Sequence, residues 1–162
     1  MRNKWLYFIG PILIMGIIFL FSSQPYHEQD LRPSLNEYIP LDFAKEYLEG
    51  IEFPYRGGVI SVETHGAAGF IEFFIRKGAH FVIYFALMLV TYLSIAKVWG
   101  WSFWKRWGLS FELTVAYAGF DEYHQSLTPN RTPYIGDVFL DAAGAPCAGL
   151  IIWGVHQRRN HQ

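Results

Sequence analysis

At 162 residues the chain has room for one domain or less. A net charge of −1 and the lack of any basic stripe argue against a nucleic-acid surface, and a single cysteine excludes a disulfide framework. Charge is segregated: residues 1–22, 78–99 and 138–155 are nearly free of it, whereas residues 25–77 hold most of the acids.

A membrane-spanning helix needs about 20 mostly apolar residues. The first candidate covers about 5–23, with Arg2 and Lys4 before the run from Trp5 to Phe21. The run is longer than a signal-peptide core, and Phe21-Ser22-Ser23-Gln24-Pro25 lacks a small-x-small cleavage pattern, so it reads as a retained helix.

Residues 24–77 form a long segment before the next span. Ser34-Leu35-Asn36-Glu37 has capping-box spacing and predicts a helix continuing to Glu49, with Pro40 as the objection and Gly50 as the stop. Ile51 to Tyr55 and Val59 to Val62 flank Arg56-Gly57-Gly58, which reads as a small hairpin confined to an edge by Pro54. From about Ala67, Phe70, Phe73, Phe74 and Phe81 recur at helical spacing, so an amphipathic lead-in should run unbroken into the second span.

The second span covers about 78–98. Lys77, His80 and Tyr84 fall three and four residues apart and therefore share one helix face. The third, about 107–125, is the least tidy. Its apolar run reaches spanning length only by borrowing from Asp121-Glu122-Tyr123-His124-Gln125, and it carries Glu112, which beside Lys105 and Arg106 reads as a surface charge. The fourth, about 134–154, holds Asp137 and Asp141 one turn apart. On it, Gly144, Ala145, Ala148 and Gly149 should permit close helix approach, and Cys147 reads as a small thiol buried in helix packing. The expected fold is an all-α membrane protein, a bundle of four transmembrane helices, with a short helix and a small hairpin in the long segment between the first and second.

Arg2 and Lys4, then Lys97, Lys105 and Arg106, then Arg158 and Arg159 fall on one side of these four spans. The positive-inside bias makes that side cytoplasmic, with both termini, and puts residues 24–77 and 121–136 outside. Trp99, Trp101, Trp104 and Trp107 cluster around the inner loop, where indole rings favour the interface.

Ionisable side chains in hydrocarbon are expensive and usually pair with one another or face a wet cavity. Lys77, His80, Tyr84, Asp121, Glu122, Gln125, Arg131, Asp137 and Asp141 all fall at the outer ends of the predicted spans, which predicts one polar pocket between the second, third and fourth. Taken singly they have plain readings: His80 a hydrogen-bonded packing residue, Lys77 a snorkelling charge, Arg131 a turn cap, and the set an ion network joining helices. No H-E-x-x-H or Cys/His spacing points to a metal, no G-x-S-x-G points to a serine nucleophile, and no cofactor is expected.

Several of these residues also carry a resemblance. Arg76-Lys77-Gly78-Ala79-His80-Phe81 with Tyr84, then Asp121-Glu122-Tyr123-His124-Gln125, Arg131, Asp137-Val138 and Gly144-Ala145, with Phe21 to Pro25 after the first helix, resemble the VanZ-like family of small bacterial membrane proteins. Asp141 departs from the pattern, which favours Asn there. The resemblance implies a four-helix protein of the cell envelope, in a family whose name-giving member is associated with low-level resistance to the glycopeptide teicoplanin. Two functions follow as expectations. One is an outward-facing pocket that binds a membrane lipid or a lipid-linked cell-wall head group. The other is an integral-membrane enzyme in which His80 or His124 and a carboxylate perform acid–base chemistry on a lipid intermediate. The oligomeric state is left open.

Overall fold

The computed structural model describes residues 3–129 and 134–160, with the backbone alone at 43–45. It is mostly helical: α1 (Ile9–Ser22), α2 (Arg32–Tyr38), α3 (Asp42–Leu48), β1 (Phe53–Tyr55), β2 (Gly58–Ile60), α4 (Val62–Val98), α5 (Phe103–Ser126), α6 (Ile135–Ala142) and α7 (Gly144–Asn160). The chain divides into two compact units, Met1–Pro25 with His80–Gln162, and Tyr26–Ala79. Three helical stretches, Lys4–Ser22, Val62–Val98 and Ile135–Asn160, are long and apolar enough to cross a bilayer. The 24 residues of α5 have the length, about 36 Å at about 1.5 Å per residue, but its charged ends leave it short of that apolar standard.

In the first unit the usual soluble pattern is inverted. Ser94, Ser110, Thr114, Asp121 and Asp141 are buried, whereas Ile12, Leu13, Leu20, Val82, Leu93 and Leu150 are exposed. Water would penalise such a surface, and lipid would not; the chain is a membrane protein. Two apolar clusters hold its helices together. Ile18 of α1, Tyr84 and Leu87 of α4 and Ala118 of α5 form one. Met88 of α4, Phe103 of α5 and Ala145, Ala148 and Ile152 of α7 form the other. Inward-facing hydroxyls add links across helices: Tyr117 donates to the Met15 carbonyl at 2.6 Å and Ser94 to the Tyr7 carbonyl at 2.6 Å.

Prolines set two boundaries in this unit. A 3₁₀ turn (Lys4–Phe8) leads into α1, with Pro11 in its first turn, where a missing N–H costs nothing. The single helix expected over 134–154 is two helices that meet at Ala143. Pro146 has no N–H to give the Ala142 carbonyl, and its ring crowds that carbonyl, so α6 ends there and α7 starts afresh with proline in its first turn. The small residues beyond the break act as expected. A Cβ on Gly144 would collide with the Phe81 carbonyl oxygen and come within 2.7 Å of the Phe85 backbone nitrogen. Cys147 corrects its sequence reading: it is exposed, because Ala145 and Ala148 occupy the packed face of α7.

In the second unit, the helix predicted from Ser34 to Glu49 is broken into α2 and α3 around Pro40, and it starts earlier, at Arg32, with Pro33 in its first turn. Ser34 then lies inside α2 and makes no cap, which corrects the capping-box reading. A hydroxyl cap forms instead at α4: Ser61 Oγ accepts from the Thr64 N–H at 3.2 Å, and Thr64 Oγ1 accepts from the Ser61 N–H at 3.1 Å. The hairpin is present, antiparallel, with Phe53 opposite Ile60 and Tyr55 opposite Gly58. Its turn residues Arg56 and Gly57 both have positive φ, 51° and 78°, the pattern of a type I′ turn that matches strand twist. Leu35, Leu41, Ala67 and Ala68 form this unit's core.

Candidate functional site

The polar residues of the first unit converge from four helices. Asp121 on α5 is 1% exposed and accepts three side-chain hydrogen bonds. Ser22 at the end of α1 donates to its Oδ1 at 2.5 Å; Tyr84 of α4 and Gln125, one turn along α5, donate to its Oδ2 at 3.1 and 2.9 Å. His80, one turn before Tyr84 on α4, places Nδ1 3.1 Å from Oδ2 of Asp141 on α6. Asp141 is 2% exposed, whereas the His80 side chain is 31% exposed. One ligating atom each from His80, Asp121 and Asp141 lie within 4.8 Å of one another.

Local sequence explains how these groups reach one place. On α4 the i, i+4 spacing stacks His80 and Tyr84 on one face, and the same spacing aligns Asp121 with Gln125 on α5. Gly144 lets the α6–α7 junction lie directly against the Phe81–Phe85 backbone, which brings Asp141 within reach of His80. Thr128 closes the other side, donating to the Ser22 carbonyl at 3.0 Å.

Glu122 and Asp137 are also buried. Glu122 Oε1 accepts the Tyr134 N–H at 2.5 Å and ties α5 to the residue preceding α6. Asp137 occupies the first turn of α6, where a carboxylate complements the partial positive charge of free N–H groups. His124 turns away from the cluster, stacked on Phe19 at 4.1 Å with a ring nitrogen 2.9 Å from Ser23 Oγ. Lys77 belongs to the second unit, where its Nζ lies 5.1 Å from the Tyr55 ring centroid and 5.9 Å from that of Phe73. Arg131 lies outside the described residues. Glu112 is exposed beside Lys105, along an open groove that Trp101 and Trp104 also line.

Two features had no counterpart in the sequence reading. Ser22 was visible only as part of the motif after the first helix, with nothing to pair it with an acid 99 residues away. The other is a second buried acid, Glu72 on α4, 2% exposed in the second unit. It accepts from Tyr26 Oη at 3.1 Å and pairs with Arg76 at 3.6 Å and Arg32 at 3.7 Å. Arg32 also binds Asp30 at 2.6 Å, and this charge-assisted hydrogen bond holds the Asp30 carboxyl down at about 2. Glu72 lies one turn before Arg76, so the i, i+4 spacing was its available signal.

A family model described as VanZ/LLP1 matches residues 7–156. No curated protein and no solved structure matches the chain.

Proposed function

The chain belongs to the VanZ/LLP1 family, and from that premise we propose that it is a bacterial cell-envelope protein whose outward-facing polar pocket binds a lipid or lipid-linked cell-wall head group and thereby lowers susceptibility to teicoplanin-type glycopeptides. The observation that carries the reading is the buried assembly of Tyr84, Asp121, Gln125, His80 and Asp141 in a unit whose outer surface is apolar. Polar groups in such a setting are costly unless they serve one another or a ligand. Their carboxylates and amide suit the hydroxyls and amines of a sugar or peptide head group. Lys77 and Arg131 are the cations that the sequence pattern offers for its phosphate.

In this reading α5 is the fourth span. Its acidic end sits at the outer boundary, and Lys105, Arg106, Arg158 and Arg159 lie on the cytoplasmic side with both termini. Teicoplanin susceptibility of cells lacking or overproducing the protein tests it. Overproduction should raise the inhibitory concentration and deletion should lower it; no change in either strain removes the antibiotic part of the reading.

The contact between His80 and Asp141 favours a second reading, an integral-membrane enzyme. A carboxylate that orients an imidazole prepares it to move a proton. Turnover of a lipid intermediate by purified protein, abolished in His80→Ala, would select the enzyme; lipid binding without turnover would select the pocket.

A further inference from the structure

We propose that His80, Asp121 and Asp141 bind a divalent first-row transition cation of the zinc class, independently of whether the pocket also takes a head group. One ligating atom from each lies within 4.8 Å of the others. His80 Nδ1 and Asp141 Oδ2 are 3.1 Å apart, close to the edge of about 3.4 Å in a tetrahedron with bonds of about 2.1 Å. An oxygen of Asp121 supplies the third corner, within 4.8 Å of the other two ligand atoms.

An independent observation points to a ligand. Asp141 Oδ1 is buried and has no hydrogen-bond partner among the described residues. Buried oxygens are rarely left so, and each such orphan calls for an explanation. Nor does any lysine or arginine of the described residues form an ion pair with Asp121 or Asp141. Two carboxylates and one imidazole thus share a buried corner whose charge a cation would balance.

The surroundings are those of a ligand site. Ser22, Tyr84 and Gln125 all donate to Asp121, fixing its carboxylate in place, as the hydrogen-bond partners of metal ligands do. One imidazole nitrogen with two carboxylate oxygens suits zinc better than magnesium or calcium, which prefer oxygen alone. Three protein ligands leave a fourth position open. His80, part-exposed, offers the way in. The spacing rules for metal motifs could not reveal this set, because its members come from three helices.

The test uses the tag-free full-length protein in detergent micelles, stripped with a chelator and titrated with Zn²⁺ by calorimetry. We expect one Zn²⁺ per chain, weakened by about tenfold or more in His80→Ala and Asp141→Asn. His156→Ala, whose ring stacks on Phe103 away from the cluster, should bind as the parent does. X-ray absorption of the zinc-loaded parent should show one imidazole with oxygen donors at about 2.0–2.2 Å, and this measurement stands even where a variant does not fold. The proposal is overturned by the absence of stoichiometric binding to the parent, by site variants that bind equally, by loss of binding in His156→Ala, or by a metal shell with two or more imidazoles.

Discussion

Asp121 accepts hydrogen bonds from a serine, a tyrosine and a glutamine contributed by three helices, so the single side chain acts as a junction. Tyr84, fully buried, gives its hydroxyl to this acid while its ring packs with Ile18, Leu87 and Ala118. Tyr84→Phe keeps the ring and deletes the donor. It should lower stability by about 1–3 kcal/mol, the usual cost of removing one partner of a buried acceptor; unfolding in mixed micelles measures it, and an unchanged midpoint would show that the bond adds nothing. Outside the membrane, Asp30 carries the clearest pH signature. Its carboxyl is held at about 2 by Arg32, below the ordinary 3.8. A depressed folded value means the pair adds stability above the unfolded value and loses it as pH falls through about 2. The stability difference between the parent and Asp30→Asn should therefore be constant near neutral pH and shrink between pH 4 and about 2. A difference that grows with acid would contradict the pairing.

At the level of elements, Gly144 is the point on which the site's geometry depends. A side chain there meets the backbone of α4, which cannot rotate away as a flexible side chain would. Gly144→Leu should push α6–α7 from α4 and cost about 1–3 kcal/mol or more, whereas at Gly154 an added Cβ meets nothing within 4 Å and alanine should be tolerated. Equal thermal midpoints for the two variants would dismiss the close-approach argument. The elements also show where sequence patterns carry information. The turn was legible because Gly57 takes positive φ freely and stands between two apolar runs, and the small-residue face of α7 because helical period fixes which side chains share a face. The break at Ala143 follows from Pro146 by equally local chemistry. The apolar run across it hid the boundary, since periodicity alone treats the two helices as one. The capping box failed for another reason: Ser34-to-Glu37 spacing is compatible with a helix start, but Pro33 one residue earlier already serves the first turn.

Across the whole molecule, membrane character was readable because lipid imposes long apolar runs, and three helical stretches meet that requirement outright. The cluster of His80, Asp121 and Asp141 was legible only as polar positions near span ends. Which of them touch depends on helix rotation and on the approach that Gly144 permits, and neither is encoded in spacing along one helix. The charge bias predicts the orientation: in a Cys147→Ala background, a cysteine at Glu63 should react with an impermeant thiol reagent in whole cells and one at Ser102 should not. The reverse labelling would turn the polar cluster toward the cytoplasm and end the head-group reading. That reading is tested most directly by mass spectrometry of lipids that co-purify with the parent protein and with a Lys77→Ala/Arg131→Ala double variant. A phosphate-bearing lipid or lipid-linked cell-wall intermediate should be enriched over the bulk membrane in the parent and depleted in the variant. Identical lipid profiles that match the bulk membrane in both would contradict it.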